Sequence, residues 1–167
     1  PPGVQVKVTS IDKIEDYEQP LVAHLQVTGT LGSSTGKRVL LPGDIFVASA
    51  KPAFTNEKRE IAVYFDYAHI TQDAVRIKFP QTLSIESLPT IEKASTFEKA
   101  ITYSVTVEST PTSFTLRRTY ALGDIIFQKD KYPSFRAFYS KMENKDQESV
   151  VLTNAPATAR AATPAAN

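Results

Sequence analysis

Two histidines, His24 and His69, are the side chains best suited to hold a metal or move a proton near neutral pH. Both fall inside runs that alternate as strands do. A metal site would need them to converge with carboxylates, and no local spacing of the kind seen in zinc motifs brings Asp or Glu to either one. Each is read as a packed or surface strand residue. Glu15, Asp16 and Glu18 supply carboxylates for acid–base hydrolysis, yet they crowd around Tyr17 instead of standing on opposed walls of a cleft. A solvated acidic loop is the expectation. Ser33 and Ser34 have no base nearby, and neither G-x-S-x-G nor S-x-x-K occurs. Gly29, Gly32 and Gly36 with Lys37 imitate a phosphate-cradling loop, but Arg38 stands where that motif needs a hydroxyl and no helix follows. The sequence contains no cysteine, which removes thiolate nucleophiles, disulfides, thiolate metal sites and iron–sulfur ligation together. We therefore expect no catalytic, cofactor-binding or metal-ligating residue, and no enzyme.

One further constellation is rich in aromatic rings. Phe135, Phe138, Tyr139 and Met142 recur at i, i+3, i+4 and i+7, with Tyr132 and Arg136 interleaved. Exposed, such a stripe would stack on bases, sugars or a protein partner. At helical spacing, burial as a core stripe is the stronger expectation. Tyr132-Pro133 suits a helix entry, because proline is tolerated in the first turn, and the helix is predicted to run from 132 to about 146.

The elements that position these residues are mostly strands. Val4, Val6 and Val8 alternate with Gln5 and Lys7, and the alternation resumes over 21–27 after the acidic stretch. Gly29 to Gly36 reads as a turn or flexible loop, and Arg38 to Leu41 as a short apolar run stopped by Pro42-Gly43-Asp44. Ile61 to Ile70 carries the densest β-branched and aromatic content; Thr71-Gln72-Asp73 breaks it and predicts a hairpin returning over 74–79. Leu83 to Ser87 is a further short strand. Runs 100–108 and 113–121 flank Ser109-Thr110-Pro111-Thr112, a connection of hairpin length. Val150-Val151-Leu152 reads as an edge strand or an anchor.

Short strands, turn signals, one late helix and no βαβ alternation predict a mainly β fold: an antiparallel β-sandwich with one C-terminal α-helix packed on an end or edge. Residues 1–154 are expected to form a single domain, and 155–167, built of alanine, threonine and proline, a disordered tail. A formal net charge of +1 offers no field to steer phosphate backbones or anionic lipids, so no nucleic acid is expected as partner. No apolar run approaches the roughly 20 residues of a membrane helix, so no membrane insertion is expected. Pro1-Pro2-Gly3 carries neither an initiator Met nor a signal pattern, and the chain is expected to be cut from something longer.

From about Phe54 to Leu152, four pieces in order carry a family resemblance. They are Arg59-Glu60-Ile61-Ala62-Val63-Tyr64-Phe65, Phe79-Pro80, Ile85-Glu86-Ser87-Leu88-Pro89, and Tyr132-Pro133-Ser134-Phe135-Arg136-Ala137-Phe138-Tyr139 running into Val150-Val151-Leu152. This succession resembles the C-terminal β domain of bacterial transglutaminase-like proteins, which follows a papain-like core. The family's catalytic Cys, His and Asp belong to that core, and no residue here takes their roles. The resemblance implies an accessory domain whose partner is the upstream transglutaminase-like domain of the same polypeptide, in a periplasmic or extracellular protein. The alternative is an independent carbohydrate- or peptide-binding β-sandwich presenting Tyr64 and Tyr67, which three-residue spacing keeps off one regular strand face.

Overall fold

Alternating β-branched and aromatic side chains set strands along nearly the whole chain, and the order in which these pair decides what they enclose. The computed structural model describes residues 4–154, so the tail expected at 155–167 lies outside the described residues. The elements are β1 (Val4–Asp12), β2 (Val22–Gly29), β3 (Ser33–Thr35), β4 (Arg38–Pro42), β5 (Val63–Tyr64) and β6 (His69–Lys78). There follow β7 (Leu83–Ser87), β8 (Glu92–Phe97), β9 (Ile101–Thr110), β10 (Ser113–Leu122) and β11 (Ile126–Phe127). A 3-10 turn at Lys129–Lys131 leads into α1 (Tyr132–Asp146), and β12 (Ser149–Asn154) closes the described chain.

The expected hairpin of β9 and β10 is the centre of the largest sheet, ordered β6-β10-β9-β8 and antiparallel throughout. Its register runs unbroken from Thr110 opposite Ser113 to Ile101 opposite Leu122, which puts Ile101, Tyr103, Val105, Leu116, Tyr120 and Leu122 on one buried face. A second sheet, ordered β3-β4-β12-β7, covers one end of that face. There Phe79, Phe114, Val150 and Leu152 form a compact core with Val39, Leu41 and Ile85 beside it. The other end is closed by α1, which buries Tyr132, Phe135, Tyr139 and Met142 against the sheet. The mainly β, antiparallel architecture with one C-terminal helix matches the expectation.

Local details differ. No hairpin separates 61–70 from 74–79: β5 is two residues long and pairs with β11, while β6 runs straight through Thr71-Gln72-Asp73. Those polar residues stay in the strand because β6 is an edge strand with a wet outer face, and because Asp73 lies directly opposite Arg118. Residues 149–154 are no edge strand either; β12 sits between β4 and β7, with Val150 and Leu152 filling the second core. Part of the glycine- and serine-rich stretch forms the short strand β3 on β4. β8 has no counterpart in the sequence reading, since only Phe97 points fully inward and its turn into β9 has neither Gly nor Asn. Glu98 and Lys99 take left-handed φ of 48° and 61°, Ala100 N–H bonds Phe97 O at 2.9 Å, and the three-residue connection 98–100 lets Phe97 pair with Ile101.

The helix stripe is also adjusted. Phe135 is fully buried, at the centre of a ring cluster with Phe54 (4.8 Å), Phe127 (4.9 Å) and Tyr139 (4.7 Å), whereas Phe138 is only half-buried, flanking Phe97 at 6.0 Å. Tyr132 takes the inward place that the spacing assigned to Phe138. Phe135→Ala is expected to cost about 3–5 kcal/mol, and Phe138→Ala about 1–2 kcal/mol. Lys141→Ala, whose ammonium reaches Glu92 from a largely exposed position, should change stability by less than about 0.5 kcal/mol. Urea midpoints at unchanged slope measure all three; a Phe138→Ala loss equal to that of Phe135→Ala would contradict this placement.

Candidate functional site

Where charge is buried, chemistry or structure must account for it, and here the charge centres on Arg118. Strand alternation sends this side chain inward from β10, and it is buried to 7% exposure. Its Nε and Nη2 donate to Asp146 Oδ1 (2.8 Å) and Oδ2 (2.9 Å), a bidentate pair, and Nη1 donates to Asp73 Oδ2 at 3.2 Å. The guanidinium also lies 5.5 Å from the Tyr103 ring centroid, and the Tyr103 hydroxyl donates to Asp146 Oδ1 at 2.7 Å. Burial alone would lower the Arg118 pKa, but the hydrogen bonds and charge of Asp146, with Tyr103 and Asp73, outweigh it and raise it. Tyr103 is raised by burial and then by Asp146, so it remains a phenol. Asp146 closes the last turn of α1, where the helix dipole disfavours a carboxylate, and Arg118 compensates that end.

Asp44 stands beside this cluster and is almost fully buried. Its Oδ1 accepts the Phe46 N–H at 2.9 Å, but its Oδ2 has no hydrogen-bond partner. Gly43 lets the chain enter so closely: a Cβ there would stand 2.9 Å from the Glu148 carbonyl oxygen, which accepts the Gly43 N–H. Burial raises the Asp44 pKa, the Phe46 N–H lowers it, and Asp73 and Asp146 raise it further against a smaller lowering by Arg118. One guanidinium thus faces three carboxylates. The arrangement is a structural clamp, with its strong hydrogen bonds already made between protein groups.

A second polar feature is a groove of about 620 Å³ between α1 and the chain at 47–55. Three of its lining side chains, Arg136, Glu143 and Gln147, bond the backbone of that chain segment, and Tyr132 ties it down beyond the groove. Arg136 Nε donates to Phe54 O at 3.1 Å, Glu143 Oε1 accepts the Ala53 N–H at 2.8 Å, and Tyr132 donates to Asn56 O at 2.7 Å. Inside, the Tyr120 and Tyr139 hydroxyls meet at 2.5 Å and tie sheet to helix. The aromatic stripe weighed as a partner surface is therefore core at Phe135, Tyr139 and Met142, with Phe138 reaching the surface in part.

The remaining candidates stay apart. His24 on β2 meets Asp12 Oδ2 at 3.0 Å, and the His69 Nδ1 donates to Tyr67 O at 3.3 Å. Among the described residues no group of three or more His, Asp or Glu side chains is arranged to hold a metal ion. Glu15, Asp16 and Glu18 lie in the exposed connection of β1 to β2, and Ser33 and Ser34 on the exposed β3. Tyr64 and Tyr67 are exposed on different segments, Tyr64 on β5 and Tyr67 before β6. No helix among the described residues is long and apolar enough to cross a membrane.

The hairpin of β1 and β2 is the feature that sequence reasoning passed over. It forms a separate two-stranded sheet in which no residue is buried. The pairs Val6 with Val27, Val8 with Leu25 and Ile11 with Ala23 lie on one face, while Lys7, His24 and Gln26 lie on the other. The alternation was legible; that no other described residue covers its apolar side was not.

Three variants test the clamp. Arg118→Ala leaves Asp73 and Asp146 facing each other without a counter-charge and should cost about 3–5 kcal/mol, with Arg118→Lys recovering only part because it cannot bind both carboxylate oxygens of Asp146 in the same fork. For Asp44 the folded-state pKa lies above the unfolded one, so the folded state binds more protons and stability falls as pH rises from the unfolded pKa through the folded pKa. Asp44→Asn keeps the acceptor for Phe46 and should raise the urea midpoint at pH 7, the gain shrinking as pH falls towards about 4. A midpoint lowered equally at both pH values would contradict the assignment.

No curated protein matches the sequence. Among solved structures, one described as a "putative protease" from Parabacteroides distasonis ATCC 8503 superposes with a TM-score of 0.55 at 12% identity, covering 72% of this chain. The chain spans 24% of that protein's length. At this identity the likeness concerns the fold. Residues 37–152, which take in the larger sheet, most of the second sheet and the helix, match the model described as a domain of unknown function with a solved structure, DUF3858, and the chain belongs to that family.

Proposed function

We propose that this is a non-catalytic accessory domain of a transglutaminase-like, papain-like cysteine protein, serving to pack on, orient or shield the catalytic domain or to help it engage a partner. The observation that carries the reading is the fold shared with 24% of a much longer protein described as a "putative protease". The chemistry of the chain agrees with it. A papain-like mechanism needs a thiolate and a histidine base, and the sequence has no cysteine. Its buried ionic groups, Arg118, Asp73 and Asp146, are bonded to one another and hold sheet to helix, so they stabilise without presenting a nucleophile. In such a protein the turnover resides in the neighbouring domain, and this one contributes surface. Export to the periplasm or the cell exterior is part of this proposal.

The 167-residue chain alone is expected to show no turnover of peptide amide or ester substrates. In the polypeptide encoded by the whole reading frame, cysteine-dependent amide chemistry should appear and should vanish on replacing a cysteine upstream of this domain. Turnover by the 167-residue chain that a point change within it abolishes would overturn the reading.

A further inference from the structure

The β1–β2 hairpin is amphipathic, and among the described residues nothing covers its apolar face. Val6, Val8, Leu25 and Val27 remain 61%, 54%, 52% and 42% exposed on a single face. A lone two-stranded hairpin is at best marginal in water, and a continuous apolar face on it needs a second layer. The hairpin also lies N-terminal to residues 37–152 that match the family, and it takes part in neither core of that region.

We propose that this face docks on an apolar face of an upstream domain carried by the same polypeptide, a placement that rests on the accessory reading above and names the surface it uses. The size of the patch selects the occupant. At about 3.3 Å per residue and about 4.8 Å between strands, the face offers on the order of 300–400 Å² of surface. Two copies meeting through it would bury roughly 600–800 Å² in total, short of the ~1,200 Å² at which free-standing specific interfaces begin. A tethered neighbour needs no such area, because the linker holds it at millimolar effective concentration, and interfaces between domains of one chain start at about 600 Å². The fold likeness to a quarter of a longer protein supplies the setting. The outer face, with Lys7, His24 and Asp12, stays in water.

Hydrogen exchange decides it. In the 167-residue chain the amides of Val6, Val8, Leu25 and Val27 should exchange fast, and in the polypeptide of the whole reading frame they should slow by at least about 100-fold. Leu25→Asp in the long polypeptide should abolish that slowing and Gln26→Asp on the opposite face should not; unchanged protection in β9 and β10 shows that both variants remain folded. Slow exchange in the short chain at every dilution would mean that its own domain covers the face, slow exchange lost on dilution would mean a second copy, and either result overturns the proposal. Fast exchange in the long polypeptide overturns it too. If cysteine-dependent turnover by that polypeptide still depends on this domain, the accessory reading survives with a different surface. Slow exchange in a long polypeptide with no cysteine-dependent activity leaves the docking in place and sinks the accessory reading instead.

Discussion

A guanidinium withdrawn from water must be matched by charge of opposite sign, and Arg118 meets that demand with groups from three directions. Asp146 comes from the end of the helix, Asp73 from the neighbouring strand β6, and the Tyr103 ring from β9. Because a buried ion tolerates no vacancy, each of these elements has only one acceptable position relative to β10. The helix is thereby fixed at its C-terminal end, while its body is fixed by the rings of Phe135 and Tyr139. Burial of the pair against hydrophobic alternatives adds little net stability of its own; what it supplies is a single register for sheet and helix, and loss of either member is costly.

Around that clamp the interior divides into two cores that share one sheet. Phe114, near the β9–β10 turn, packs with Val150 and Leu152 under the second sheet, and Leu116, Tyr120 and Leu122 further along the same strand pack under the helix. A single strand of alternating residues thus serves both, which is why β12, returning after the helix, can insert between β4 and β7 and complete the second core. The chain at 47–56 is stitched to the helix by side chains of the helix donating to or accepting from its backbone, so a stretch without regular structure still has its polar groups bonded.

The proposed supporting role fits the way polar and apolar groups are distributed. Inside, side-chain donors and acceptors are spent on one another, with Asp44 Oδ2 the buried exception among the described residues. Outside, large apolar side chains stay exposed, among them the valines and leucine of the first hairpin and the pair Tyr64 and Ile126 where β5 meets β11. Surfaces of that kind acquire their meaning from what they touch.

Periodicity and composition alone determined the strands at 100–108 and 113–121, the helix from 132, the inward direction of Phe135, Tyr139 and Met142, and the lack of any thiol chemistry. All of these depend on neighbours within a few residues or on the inventory of side chains. Tertiary structure decided the rest. Alternation turns Arg118 inward, but its carboxylates stand 28 and 45 residues away, so no local pattern names them. The same pairing holds Thr71-Gln72-Asp73 in a strand where local polarity predicts a turn. Val150-Val151-Leu152 is too short to declare whether it lies at an edge or a centre, since that depends on which strands arrive on either side. For the first hairpin, the sequence prescribes an apolar face, and only the folded chain reveals that this domain does not bury it, because burial is a relation between surfaces and not a property of the strand that carries one.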